Sequence, residues 1–307
     1  MDIFLQQIIN GLVLGSIYAL VALGYTMVYG ILGLINFAHG DIVMVGALVA
    51  LSVIQAFFGG ALPATAILLI ATLAAMLVCM VLGFTIERVA YRPLRRAPRL
   101  APLITAIGVS ILVQYTAALI WSKQYISLPA IITPVQFTIA GASFTDLQLF
   151  IFVLACALMA ALLLFIKNTR MGRAMRATEQ NPDVAGLMGV DTNRIVSFTF
   201  LLGSALGAVA GVMVVLYYGL GHYYMGFILG LKAFTAAVLG GIGKVNGAML
   251  GGLLLGLIES LASGYIGDLT GGLLGSNYRD IFAFLVLVVV LVFRPSGLIG
   301  ETAGERA

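Results

Sequence analysis

A chain of 307 residues that is 62% hydrophobic and only 9% charged, with a mean hydropathy of +1.12, is not a soluble domain, since soluble domains are about one-quarter charged. The excess of four positive charges does not point to nucleic acid, because the basic residues gather in a few places between apolar runs. These properties define an all-α integral membrane protein. Taken in chain order, Met1-Asp2-Ile3 lacks a basic n-region, so no cleavable signal peptide is expected. Three spans follow at 8–29, 36–58 and 64–88; the stretch 42–86 holds 45 residues without a charge, room for two helices of about 20 residues. Arg88, Arg92, Arg95, Arg96 and Arg99 close this part. Spans at 101–121 and 146–166 flank a nearly uncharged loop, 122–145. A second basic group, Lys167, Arg170, Arg173, Arg176 and Arg194, is followed by spans at 195–218, 226–242, 244–266 and 278–293, then by Arg294 and Arg306. The 226–242 span is short and glycine-rich, so a tilted, broken or re-entrant helix fits it. The positive-inside rule puts all three basic places in the cytoplasm. Eight or nine spans are expected in all, and the three crossings before the first basic group set the N-terminus outside, in keeping with the absence of Lys and Arg from the first 87 residues. Cys79 and Cys156 lie inside apolar spans without metal spacing and read as small buried hydrophobes.

The one long polar stretch is 167–194. Within it, Asn181 can cap a helix, Pro182 can take its first position and Asp183 can face the positive dipole end. Gly189 can end it in the left-handed conformation. Val184, Leu187 and Met188 stand at i, i+3 and i+4 and form one apolar edge. Two turns of amphipathic helix cannot fold alone. Either this helix docks on another subunit and receives force, or it rests on lipid headgroups.

Glycine spacing predicts close helix contacts. Gly11 with Gly15, Gly203 with Gly207 and Gly211, Gly247 with Gly251, and Gly252 with Gly256 form small faces that let backbones approach. The run Ile31-Leu32-Gly33-Leu34-Ile35-Asn36-Phe37 recurs as Ile228-Leu229-Gly230-Leu231-Lys232-Ala233-Phe234, at opposite ends of the membrane by the crossing count. This predicts an inverted internal repeat, with halves of about 8–121 and 195–294 in a single transmembrane domain and the pathway at their interface. Chance in so biased a composition is the competing explanation.

Polar residues within spans are the pathway or gate candidates. Lys232 lies about 9 Å, and Glu259 about 10 Å, below the outer surface by helical rise, so an ion pair is expected. A fixed strut between adjacent helices is favoured over direct substrate contact. Asn36, His39 and Asp41 form the second group. Asn36 and Asp41 could cap helix ends and His39 could satisfy a carbonyl, or the three could serve an inner gate. Thr235 could show a hydroxyl to the pathway, or bond its own helix. The run Val238 to Lys244 resembles a phosphate loop but lacks the first glycine and the Ser or Thr after the lysine. No catalytic triad, carboxylate pair or zinc motif appears, and two histidines argue against a metal enzyme. No cofactor or metal is expected.

Asn36-Phe37-Ala38-His39-Gly40, the run from Gly230 to Gly243, Met171-Gly172-Arg173-Ala174 with Met188-Gly189-Val190-Asp191, and Glu87 to Leu94 together resemble the branched-chain amino-acid ABC permeases of the LivH type, over essentially the whole chain. The resemblance implies an ABC importer permease of type II-like fold in the bacterial inner membrane. It implies a heterodimer with a LivM-type permease subunit, two cytoplasmic ATPase subunits and a periplasmic amino-acid-binding protein. By this likeness the helix at 182–188, with Asn181, Pro182, Asp183, Val184, Leu187, Met188 and Gly189, is the coupling helix. The Glu-Ala-Ala signature of older permeases is not literal, since Gln180-Asn181 follow Glu179. The reading is a non-catalytic permease for leucine, isoleucine and valine. Permeases of this scaffold for urea or amides, a stand-alone carrier or channel, and a membrane enzyme or scaffold are the rivals.

Overall fold

The computed structural model describes residues 2–300 except 96, 99, 140 and 272–277. Arg96, Arg99 and Arg306 of the basic groups lie outside the described residues. Helix α1 runs over Asp2–Leu32 and stops at Gly33, whose φ of +64° is open only to a residue without Cβ crowding. After an irregular stretch, α2 covers His39–Phe57 and α3 covers Ala64–Thr85. A π-helical turn at Ile86–Tyr91 and a tight turn at Arg92–Leu94 extend α3. Then come α4, Leu100–Trp121, and three short strands: β1 at Ile126–Ser127, β2 at Gln136–Ile139 and β3 at Ala142–Thr145.

Helix α5 spans Asp146–Asn168, α6 Arg170–Gln180, α7 Pro182–Leu187 and α8 Thr192–Tyr218. Strand β4, Leu220–Gly221, pairs antiparallel with β1, Ile126 opposite Gly221. Helices α9, Met225–Gly240, α10, Val245–Leu269, and α11, Arg279–Phe293, complete the chain. The expected loop at 122–145 thus contains a β2–β3 ladder, Gln136 opposite Thr145. Among the described residues seven helices are long and apolar enough to cross a membrane, and α9 and α11 are shorter apolar helices. The chain is a multi-pass, all-helical membrane protein. The expected 226–242 span is unbroken as far as residue 240, where α9, 16 residues from Met225 to Gly240 and about 24 Å long by helical rise, ends. The two copies of the seven-residue repeat are conformationally unlike. The first spans the end of α1 and the irregular stretch, and the second lies inside α9.

The chain divides into two compact units, one of Met1–Leu23, Pro134–Met159 and Lys232–Ala307, the other of Gly24–Thr133 and Ala160–Leu231. In the first, the glycine faces of α1 and α10 meet backbone to backbone. A Cβ built on Gly11 would stand 2.8 Å from Leu257 Cα, and one on Gly15 2.8 Å from Leu253 Cα. The other edge of α10, at Gly247 and Gly251, lies against Gly240 and Ala236 of α9. In the second unit α2, α3 and α8 pack on one another. The predicted face of α8 meets α2, with Gly211 against Val43 and Ala47 and Gly207 against Val43. Cys79 is buried there and its thiol donates to the Ile42 carbonyl at 3.2 Å. Cys156 corrects the reading of two buried cysteines, since it is only half-buried on α5.

Candidate functional site

Helix α7 forms because its ends are specified locally. The Asn181 side chain accepts from the N–H groups of Asp183 and Val184 at 3.0 and 3.1 Å, satisfying two of the donors that a helix start leaves open. Pro182 takes the first position, where no N–H is needed. At the other end Gly189 has φ +85°; its N–H donates to Gly186 and that of Val190 to Ala185, both at 3.0 Å. This is a Schellman closure. Ala185 is buried, whereas Val184, Leu187 and Met188 are 53%, 87% and 81% exposed. The predicted apolar edge therefore stands clear of the rest of the chain.

Four residues on, Asp191 caps α8 by accepting from the Arg194 N–H at 3.2 Å. The first turns of α8 hold a polar tie to the π-helical turn. Ser197 donates to Glu87 at 2.7 Å, Arg95 pairs with the other Glu87 oxygen, and Arg95 also donates to Asn193 at 2.7 Å. Glu87 is fully buried. Burial pulls the Arg95 guanidinium below its ordinary value, and the adjacent carboxylate opposes that shift.

Asn36, His39 and Asp41 all lie buried around the start of α2. The capping roles expected for Asn36 and Asp41 are not present: Ala38 is the N-cap and makes no side-chain bond. The Asn36 side chain instead accepts from the Tyr91 hydroxyl at 2.9 Å. Tyr91 in turn packs its ring against Phe200 of α8 at 5.5 Å. Asp41 is inside the first turn and accepts from Gln114 of α4 at 2.9 Å; Gln114 also donates to Ser110 at 3.0 Å. A favourable helix-end charge and a long-range bond thus hold Asp41, in place of the local capping that was one of its two readings. The His39 ring meets Tyr25 edge-on at 5.0 Å between centroids and sits among Gly24, Gly203 and Gly207. Two of the glycines read as helix-contact residues make room for this imidazole.

In the other unit Lys232 and Glu259 do pair, at 2.7 Å. Lys232 also meets Asp280 of α11 at 2.8 Å. The Tyr18 hydroxyl donates to Glu259 at 2.9 Å and accepts from Lys232 at 3.3 Å. Thr235, one turn beyond Lys232, is buried. Sequence reasoning missed Tyr18 and Asp280. Tyr18 carries no charge to flag it. Asp280, directly before the uncharged run 281–293, reads as a span boundary, and only the fold brings it to Lys232.

Among the described residues no three His, Cys, Asp or Glu side chains gather as a metal group would. Among the described residues the chain presents a capped apolar helix and three sets of polar side chains, around Glu87, around Asn36 and Asp41, and around Lys232. Comparison with known proteins agrees with that character. The family model described as "branched-chain amino acid transport system / permease component" matches residues 7–291. The high-affinity branched-chain amino acid transport system permease protein LivH of Salmonella typhimurium is 43% identical, over 99% of this chain and 97% of its own. The corresponding permease protein BraD of Pseudomonas aeruginosa is also 43% identical, over 99% and 98%. Among solved structures, PsaBC from Streptococcus pneumoniae in complex with Fab covers 95% of this chain and 92% of its own, with TM-score 0.49 and 13% identity. Matched along nearly its full length, the chain belongs to the family of branched-chain amino acid transport system permease components.

Proposed function

We propose that this subunit passes leucine, isoleucine and valine inward through the membrane, driven by ATPase subunits that grip α7. Its partners on this reading are a LivM-type permease subunit, two cytoplasmic ATPase subunits and a periplasmic amino-acid-binding protein. The N-terminus lies outside and the basic segments inside. The observation that carries the coupling role is the pairing of two properties in α7: ends fixed by hydrogen bonds, and an apolar edge left open. Such an edge costs solvation unless covered, and a preformed helix loses little entropy on docking. A lipid-resting helix would share the apolar edge. Cation-rich α6 directly before it fits the cytoplasmic side, where both ATPase and anionic lipid are found.

The chain performs no chemistry of its own. ATP binding on a partner can drive alternation between outward-open and inward-open packings only if that partner binds the two unequally. Leu187→Asp tests this. The substitution puts a charge where about 1.5–3 kcal/mol of apolar burial is expected on docking. The ATPase subunits should no longer co-purify, while the permease still inserts. Unaltered association and uptake would sink the docking role. Leucine uptake by liposomes holding this chain without an ATPase would sink the whole scheme in favour of a stand-alone carrier.

A further inference from the structure

We propose that the Lys232–Asp280 ion pair is the resting form of a binding site for the zwitterionic head of an amino acid; this rests on the amino-acid reading above. The four polar groups of the cluster are unequal. Glu259 is 1% exposed and fixed twice, by Lys232 at 2.7 Å and by the Tyr18 hydroxyl at 2.9 Å. Asp280 is 39% exposed and sits in the first turn of α11, where the helix end favours a carboxylate without any cation beside it. A strut needs only the buried half, Tyr18, Lys232 and Glu259. Asp280 adds a second carboxylate to a lysine that already has one, and it does so from the exposed side of the cluster.

That arrangement suits exchange. The α-carboxylate of an incoming amino acid takes the place of the Asp280 carboxylate against Lys232 Nζ. Its α-ammonium pairs with the Asp280 carboxylate so displaced. Every charge has an opposite partner before and after, and Lys232 keeps Glu259 throughout, so no ion stands alone in a low-dielectric span. A neutral solute such as urea or an amide offers only dipoles to two separated ions and cannot make that replacement at equal cost. The cluster therefore selects for paired opposite charges at the spacing of an amino-acid head, whatever the side chain.

The test uses the complete transporter, with partner permease, ATPases and binding protein, in proteoliposomes. The probe is a leucine analogue with a diazirine in its side chain, which keeps both charges. On illumination, adducts should fall on peptides of α9, α10 or α11 and be suppressed by excess leucine but not by urea. At equal amounts of assembled transporter, Asp280→Asn should lower labelling and leucine uptake by about tenfold, as loss of one hydrogen-bonded charge partner does, and Asp280→Glu should restore much of both. A purely structural Asp280 would not make labelling depend on the carboxylate. Adducts confined to other segments of the wild-type chain would overturn the site, whether or not the variants assemble. Unchanged labelling and uptake with Asp280→Asn would also overturn it. Wild-type transporter that takes up urea and not leucine would sink the substrate reading itself, a result separate from either of these.

Discussion

Replacing Gly15 by alanine should force α1 away from α10, and the structure sets the size of the effect. The added methyl carbon would stand 2.8 Å from both Cα and the carbonyl oxygen of Leu253 and 3.0 Å from the Gly252 oxygen. All three are backbone atoms, so no rotamer change relieves the contact. Carbon atoms prefer about 3.5–4.0 Å, which asks for roughly 0.7–1.2 Å of helix displacement. Overpacking of this kind costs about 1–3 kcal/mol. Against it stands the intrinsic gain of alanine over glycine in a helix, about 1 kcal/mol, so the net loss should reach up to about 2 kcal/mol. Gly267 on α10 is the control, because a Cβ there meets nothing within 4 Å; Gly267→Ala should be neutral or stabilising. Gly11 carries the same clash one turn earlier, 2.8 Å from Leu257 Cα. One displacement relieves both, so the Gly11→Ala, Gly15→Ala pair should cost less than the sum of its parts. Thermal unfolding of the detergent-purified complex measures all four. Equal melting temperatures for Gly15→Ala and Gly267→Ala would refute the backbone-contact argument.

Asn181→Ala removes the acceptor for two N–H groups of α7 and should weaken that helix by about 1 kcal/mol. ATPase association measured by titration of the purified permease should drop by roughly fivefold, with insertion intact; undiminished affinity would mean that the cap does not matter for docking. Glu87→Gln leaves Arg95 without its carboxylate and should cost about 1–3 kcal/mol. Unfolding followed by denaturant would show it, and a variant as stable as the parent would mean that the tie between Glu87, Arg95 and Ser197 adds nothing.

Local signals made α7 legible in the sequence. Asn181, Pro182 and Gly189 each act within a few residues of themselves, so no tertiary knowledge was needed. The Lys232–Glu259 pair was legible by a different route, because two charges at matched depth in a dry medium must find each other. The same reasoning did not reach Asp280, whose place at the edge of an apolar run gave it a solvated alternative. For Asn36 and Asp41 the residue types leave two readings open, helix capping or an inner gate. The structure gives them distant partners instead, Tyr91 and Gln114, and no local pattern announces a bond spanning 55 or 73 residues. The glycine faces were visible as spacing. Which face meets which helix was not, and that Gly203 and Gly207 also border an imidazole depends on where His39 falls in the fold.

The attachment of α7 bears directly on whether it can transmit force. A docking helix on a slack loop would move without consequence. Here only residues 188–191 separate α7 from α8, and three features stiffen them: the Gly186 and Ala185 carbonyl bonds, the left-handed Gly189 and the Asp191 cap. A displacement of α7 therefore reaches the first turns of α8 with little lost in bending. Those turns hold Asn193 and Ser197, which bind Arg95 and Glu87, so the π-helical turn is tied to the same motion. Tyr91 closes that turn and hydrogen-bonds Asn36 between α1 and α2. Further along, α8 meets α2 through glycine, where backbone rather than pliable side chains makes the contact. Interfaces of that kind shift between discrete packings instead of deforming smoothly. A subunit moved by an external motor needs both properties, a stiff input and an interface with more than one packing. This chain places a stiff connection and a backbone-to-backbone contact on consecutive helices of one compact unit.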